Sequence, residues 1–169
     1  MTISMYNASV PVFKQMLTSL CAILDKAKSY SDSNKINPDN LLKASLCPDM
    51  FNLIRQVQIA SDFAKGVSAR LAGIEVPSYE DTETSFDELR SRINKTLTFI
   101  DGLTSAQIDG SEEREIVTQA GTPKEKKFLG KHYLLHYGLP HFFFHVTTAY
   151  DILRSNRVEI GKRDYIGTY

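Results

Sequence analysis

Three stretches of this chain repeat apolar residues at steps of three and four, and that spacing confines them to helices with one buried face. From Ser9 to about Tyr30, Val12, Phe13, Met16, Leu17, Leu20, Ile23 and Leu24 fall on one stripe, and Ser31 to Asn34 end it. Asn37 followed by Pro38 has the form of an N-cap with proline at the first helical position, starting a short turn through Leu42. Pro48 opens a second stripe of Phe51, Ile54, Val57, Ala60, Ala64, Val67 and Leu71, which predicts a helix over Asp49 to Leu71 with Gly73 as its stop. Ser85 with Glu88 forms a capping-box pattern ahead of Phe86, Leu89, Ile93, Leu97 and Ile100, so a third helix is expected from Phe86 to about Leu103.

Between the second and third helices, Ile74 to Glu83 is acidic and carries Pro77, the pattern of an exposed loop. Arg114 to Gln119 and Lys126 to Leu129 are candidate strands around the turn residues Ala120, Gly121, Thr122 and Pro123. From Lys131 to Ser155 the helical pattern returns, with Gly138, Leu139 and Pro140 expected to break or kink it and Pro140 to Arg154 as its stronger half. The closing VEIGKRDYIGTY reads as too short and mixed for another helix, with Tyr165 and Ile166 available to return to the bundle or to cross a dimer. The expectation is an all-α single domain over residues 1–169. It is a four-helix bundle with a small β-hairpin between its third and fourth long helices and connectors long enough for a crossover.

A chain of 169 residues with 42% apolar residues supports one ordinary core. Lys and Arg number 20 and so do Asp and Glu, leaving no general positive field for nucleic acid or for an anionic membrane. The local run Lys124, Glu125, Lys126, Lys127 fits a solvated hairpin near Glu112, Glu113 and Glu115. The densest apolar stretch, Leu134 to Tyr150, is interrupted by His136, Gly138, Pro140, His141 and His145, so no membrane span is expected. The opening MTISMYNASVPVF lacks the pattern of a secretory signal and is expected to belong to the fold. Two cysteines, Cys21 and Cys47, form no disulfide framework or zinc motif, and suit a reducing cytoplasm. Cys21 lies on the first apolar stripe and reads as a small hydrophobe, and no glycine-rich phosphate-binding pattern occurs.

All four histidines, His132, His136, His141 and His145, fall between positions 132 and 145. His141 and His145 stand four apart on the predicted helix, which places both imidazoles within reach of one divalent metal. The same spacing relates His132 and His136. The competing reading is a pair of half-buried imidazoles hydrogen-bonded to carbonyls, and the absence of Glu after His141 removes the zinc-protease motif.

The stretches SVPVF, PDMFNLIRQVQIASDFAKGVSARLAGIEVPSYED and HFFFHVTTAYDILRSNRVEIGKRDYIG resemble the DUF1993 family of bacterial proteins, over nearly the whole chain. That family in turn resembles the DinB/YfiT-like superfamily of proposed metalloenzymes, four-helix bundles that often dimerise. Their usual metal site takes one histidine from helix 2 and an HxxxH pair from the last long helix. The resemblance implies His141 and His145 as metal ligands, a divalent transition metal such as zinc or nickel, and a homodimer. The second helix has no histidine, and Gln56 and Gln58 stand closest to the expected place. A neutral amide is a weak ligand for such a metal, which leaves His132, His136, Asp49 or Asp62 as substitutes. The implied chemistry is transfer of a low-molecular-weight thiol, or thiol-dependent isomerisation, with a bound metal lowering the thiol pKa and Tyr137 or Tyr150 nearest to polarise a substrate. The alternative is a non-catalytic dimeric bundle that binds a small apolar molecule and has lost the metal. The two readings separate on whether a third donor meets the histidine pair.

Overall fold

The amphipathic stripes become helices because each has another stripe to bury against. In the computed structural model, which describes residues 3–169, the chain runs through α1 (Val10–Ser33), α2 (Asp39–Leu42), α3 (Leu53–Ala72), α4 (Phe86–Asp101) and α5 (Ser105–Ile108). A hairpin of β1 (Glu115–Thr118) and β2 (Lys126–Leu129) follows, then a continuous helical segment made of α6 (Gly130–His132), a π-helical turn (Tyr133–Gly138) and α7 (Leu139–Ser155), and last α8 (Lys162–Ile166). The four long segments form the expected bundle. α1 packs on α4, α4 on α3, α3 on α7 and α7 back on α1, which puts α4 and α7 at opposite corners and sends the hairpin connector across the bundle. The hairpin is antiparallel, with Glu115 opposite Leu129 and Thr118 opposite Lys126.

Phe13, Leu17, Leu20 and Ile23 of α1, Val57, Ala60, Ala64 and Val67 of α3, Leu89 and Ile93 of α4, and Phe142 and Ile152 of α7 are all fully buried. Phe13 and Phe142 meet edge to face at 4.8 Å between centroids, tying α1 to α7. The N-terminal stretch joins this core through Met5 and Val10, while Met1 and Thr2 lie outside the described residues. No helix of the described residues is long and apolar enough to cross a membrane.

Three expectations need correction. The second long helix starts at Leu53, because Asn52 accepts the Arg55 N–H at 3.0 Å and so fixes the N-cap there. Phe51 therefore precedes the helix and is 57% exposed. Gly138 to Pro140 do not break the last long helix. A π-helical turn directly before Pro140 widens the backbone and gives the proline ring room, with Leu139 N–H bonded five residues back to Leu134 O. The C-terminal segment does form a short helix, α8, since Gly161 N–H donates to the Asp164 carboxylate at 2.7 Å and Lys26 of α1 pairs with Asp164 at 2.6 Å. Tyr165 returns to the bundle as expected, its ring on Tyr150 and its hydroxyl 2.8 Å from that of Thr147.

The acidic connector before α4 is the irregular, largely exposed loop expected, and it is firmly held. Arg92 of α4, with its side chain 2% exposed, donates to Glu83 at 2.9 Å, to Asp81 at 2.9 Å and to the Glu80 carbonyl at 3.0 Å. Tyr79 lies under two ammonium groups, Lys65 at 3.7 Å and Lys95 at 4.1 Å from its ring centroid. A buried guanidinium needs this many acceptors, so the loop's carboxylates are drawn inward.

Candidate functional site

The site forms where α7 meets α3. Both of its imidazoles have a fixed tautomer, which follows from their partners. Gln56 of α3 is 1% exposed and its Nε2 donates to the Phe51 carbonyl at 3.1 Å, which turns Oε1 toward α7. His145 Nδ1 lies 2.7 Å from that oxygen and must carry the proton, leaving Nε2 with a lone pair. His141 Nδ1 lies 2.8 Å from the Tyr137 carbonyl, which can only accept, so His141 is in the same state.

Phe63 of α3 holds the pair together. Its ring stacks on His141 at 4.8 Å and 21°, and on His145 at 6.0 Å and 19°. The contact extends toward the N-terminus of the same segment, where His141 meets Tyr137 at 4.4 Å and Tyr137 stacks on Tyr133 at 5.7 Å. Tyr133, Tyr137, His141 and His145 are spaced by four throughout. Steps of four overshoot an α-helical turn of about 3.6 residues and would drift around the helix, while the wider π turn drifts the other way and keeps the stripe on α3. Gly138 permits the close approach, since a Cβ there would lie 2.7 Å from a Val67 methyl.

Burial lowers the His145 pKa to about 4, helped by His141 and then by the Arg55 guanidinium. His145 is therefore neutral at physiological pH. Arg55 itself is paired with Asp81, donates to Gln58 at 3.1 Å and lies 5.9 Å from the Phe51 ring centroid. Phe144, 54% exposed, meets the His145 ring edge on at 5.2 Å and adds open aromatic surface beside it.

The structure brings His141 and His145 together and keeps every proposed third donor elsewhere. Gln58 donates to Glu83 at 2.8 Å. Asp62 accepts from Lys65 at 3.0 Å and from Arg92 at 2.9 Å. His132 and His136 face each other with centroids 5.0 Å apart on the exposed side of the segment, and Asp49 is exposed ahead of α3. Gln56 is adjacent, but it meets His145 at Nδ1, and the two nitrogens of an imidazole point away from each other. It cannot bind a metal held at Nε2. Among the described residues no three His, Cys, Asp or Glu side chains gather in a metal-holding group. The three-donor centre implied by the superfamily does not fit this donor set.

Of the other candidates, Tyr137 belongs to the histidine stripe, whereas Tyr150 packs on Tyr165. Cys21 is half-buried with its thiol pushed up to about 11 by burial, as a small hydrophobe requires, and it is no nucleophile. Sequence reasoning missed Phe63, although it stands seven residues after Gln56 and so on the same face of a helix.

The bundle sets an HxxxH pair of α7 against α3, the arrangement that the resemblance to DinB-like proteins implies. A crystal structure of a DinB family member protein from Shewanella denitrificans is 41% identical in sequence, covers 97% of this chain and 92% of its own, and superposes with a TM-score of 0.90. The family described as a domain of unknown function, DUF1993, matches residues 5–166. The chain belongs to the DUF1993 family and to the DinB fold group. No functionally curated protein matches it.

Proposed function

We propose that this protein is a metal-free DinB-like bundle that binds a small, apolar-bodied molecule at the His141–His145 face. The observation that carries this reading is the 2.7 Å hydrogen bond from His145 Nδ1 to Gln56 Oε1. It commits Gln56, the α3 amide beside the pair, to Nδ1, on the side of the ring away from Nε2. What remains is a neutral imidazole whose free Nε2 accepts a proton donor, set between Phe63 and Phe144. Such a site recognises a ring or alkyl body carrying one hydroxyl or amide donor. Homodimerisation belongs to the same reading and is checked by sedimentation equilibrium. The free thiols Cys21 and Cys47 suit the reducing cytoplasm as its place of action.

One observation favours the competing reading of a metal-dependent enzyme acting with a low-molecular-weight thiol. Both Nδ1 atoms are held by carbonyl oxygens, the arrangement that orients metal-binding histidines through Nε2. Phenol, a ring with a single hydroxyl, is the probe for the metal-free reading. Titration into protein labelled with 15N at histidine should move the His145 Nε2 resonance, and Phe63→Ala should abolish that shift. No movement of Nε2 at saturating phenol would overturn the binding reading.

A further inference from the structure

A second cleft opens beside the histidine pair, between α3, the end of β1 and the π-helical turn, with a volume of about 190 Å³. Phe63 and Tyr137 form walls common to the cleft and to the histidine stripe, and Tyr133 closes its floor with a ring 1% exposed. A cavity of about 150 Å³ accommodates a benzene ring, so this one has room for a single ring with a substituent.

Its polar groups are unbalanced. The Arg70 guanidinium donates to the Tyr133 hydroxyl at 3.1 Å, and among the described residues no carboxylate lies within ion-pair distance of it. Asp62, the carboxylate of the lining, is committed to Lys65 and Arg92. Lys126 adds positive charge 5.5 Å from the Tyr137 ring centroid. Thr118, 5% exposed, lines the cleft from β1, and its buried Oγ1 has no hydrogen-bond partner among the described residues. A planar fork of donors without an anion, beside an unsatisfied hydroxyl, is the complement of a carboxylate.

We infer that this cleft is an anion site for a small carboxylate with a single-ring body, the carboxylate held by Arg70 and Thr118 and the ring resting against the wall that Phe63 and Tyr137 form together. The cleft shares Phe63 and Tyr137 with the His141–His145 face, but its anion-holding groups, Arg70 and Thr118, take no part in that face, so loss of carboxylate binding and loss of binding at the histidines are separable.

The experiment is calorimetric titration of the intact protein with benzoate, and with benzamide as the uncharged counterpart of the same shape. Benzoate should bind, and benzamide should bind about tenfold more weakly or worse, as loss of a charge-assisted hydrogen bond requires. Arg70→Gln should weaken benzoate by about tenfold or more, Arg70→Lys by less, and Thr118→Val by roughly threefold. Amide shift mapping on the wild-type chain keeps the test independent of how the variants fold. Benzoate should perturb Thr118, Gln119 and Tyr137. Absence of benzoate binding, equal affinity for benzamide, or perturbations confined to other residues would overturn the inference.

Discussion

His145 of α7 and Gln56 of α3 share a hydrogen bond of 2.7 Å across the largest helix interface of the bundle, and each residue is otherwise enclosed. That contact fixes the tautomer of the imidazole, ties two helices together and engages the α3 amide that meets the HxxxH pair beside Phe63. Structure and function therefore meet in one bond, and its removal should be felt in both.

Replacement of Gln56 by Leu leaves a buried imidazole N–H without an acceptor. The expected loss is about 1–3 kcal/mol of unfolding free energy, read from urea denaturation. The histidine 15N spectrum should at the same time show His145 as a mixture of tautomers. An unchanged urea midpoint and a single tautomer would contradict the assignment of that bond.

Because the folded pKa of His145 is near 4 and that of an unfolded histidine is about 6.5, the unfolded chain binds the extra proton first as pH falls. The stability supplied by the neutral buried imidazole is present above about pH 6.5 and is lost progressively toward pH 4. With the partial solvent access of the site, the loss should be roughly 2 kcal/mol. His145→Gln should flatten that part of the stability profile; an equal slope in wild type and variant would assign the acid sensitivity to other groups.

Arg92 is the fastening of the acidic connector, since it alone meets Asp62, Asp81 and Glu83. Arg92→Met should leave these carboxylates facing one another and cost about 3–5 kcal/mol. Limited proteolysis should then cut between residues 78 and 85 well below the melting temperature, where the wild-type chain resists.

The close approach of the π-helical turn to α3 rests on Gly138, whose added Cβ would come within 2.7 Å of Val67. Gly138→Ala should destabilise by about 1–3 kcal/mol, and a second change, Val67→Ala, should recover part of the loss. Strictly additive effects in that cycle would mean that the two residues do not oppose each other.

The bundle was legible because Val57, Ala60, Ala64 and Val67, like Phe13, Leu17 and Leu20, announce a buried helical face through spacing alone. The histidine pair was legible for the same reason, four residues being one turn. The π-helical turn was not, since glycine and proline in sequence say that a regular helix fails at Pro140 and not how the backbone resolves it. Nor was the role of Gln56, which depends on the Phe51 carbonyl turning its amide, a contact between side chain and backbone that no residue pattern encodes. Arg92 was hidden likewise, because a charge on an amphipathic helix reads as solvated until the tertiary fold brings carboxylates onto it.

Whether the His141–His145 pair holds a metal is decided by metal content. It should be measured by elemental analysis on protein purified without an affinity tag or chelator, before and after incubation with zinc or nickel. The measurement is made on the wild type, on a His132→Ala, His136→Ala variant and on a His141→Ala, His145→Ala variant. Any metal retained should be held by the exposed His132–His136 pair and disappear with it. Near one equivalent of metal that survives loss of His132 and His136, and vanishes with His141 and His145, would instead make this chain a metal centre built on two imidazoles and rule out the metal-free reading.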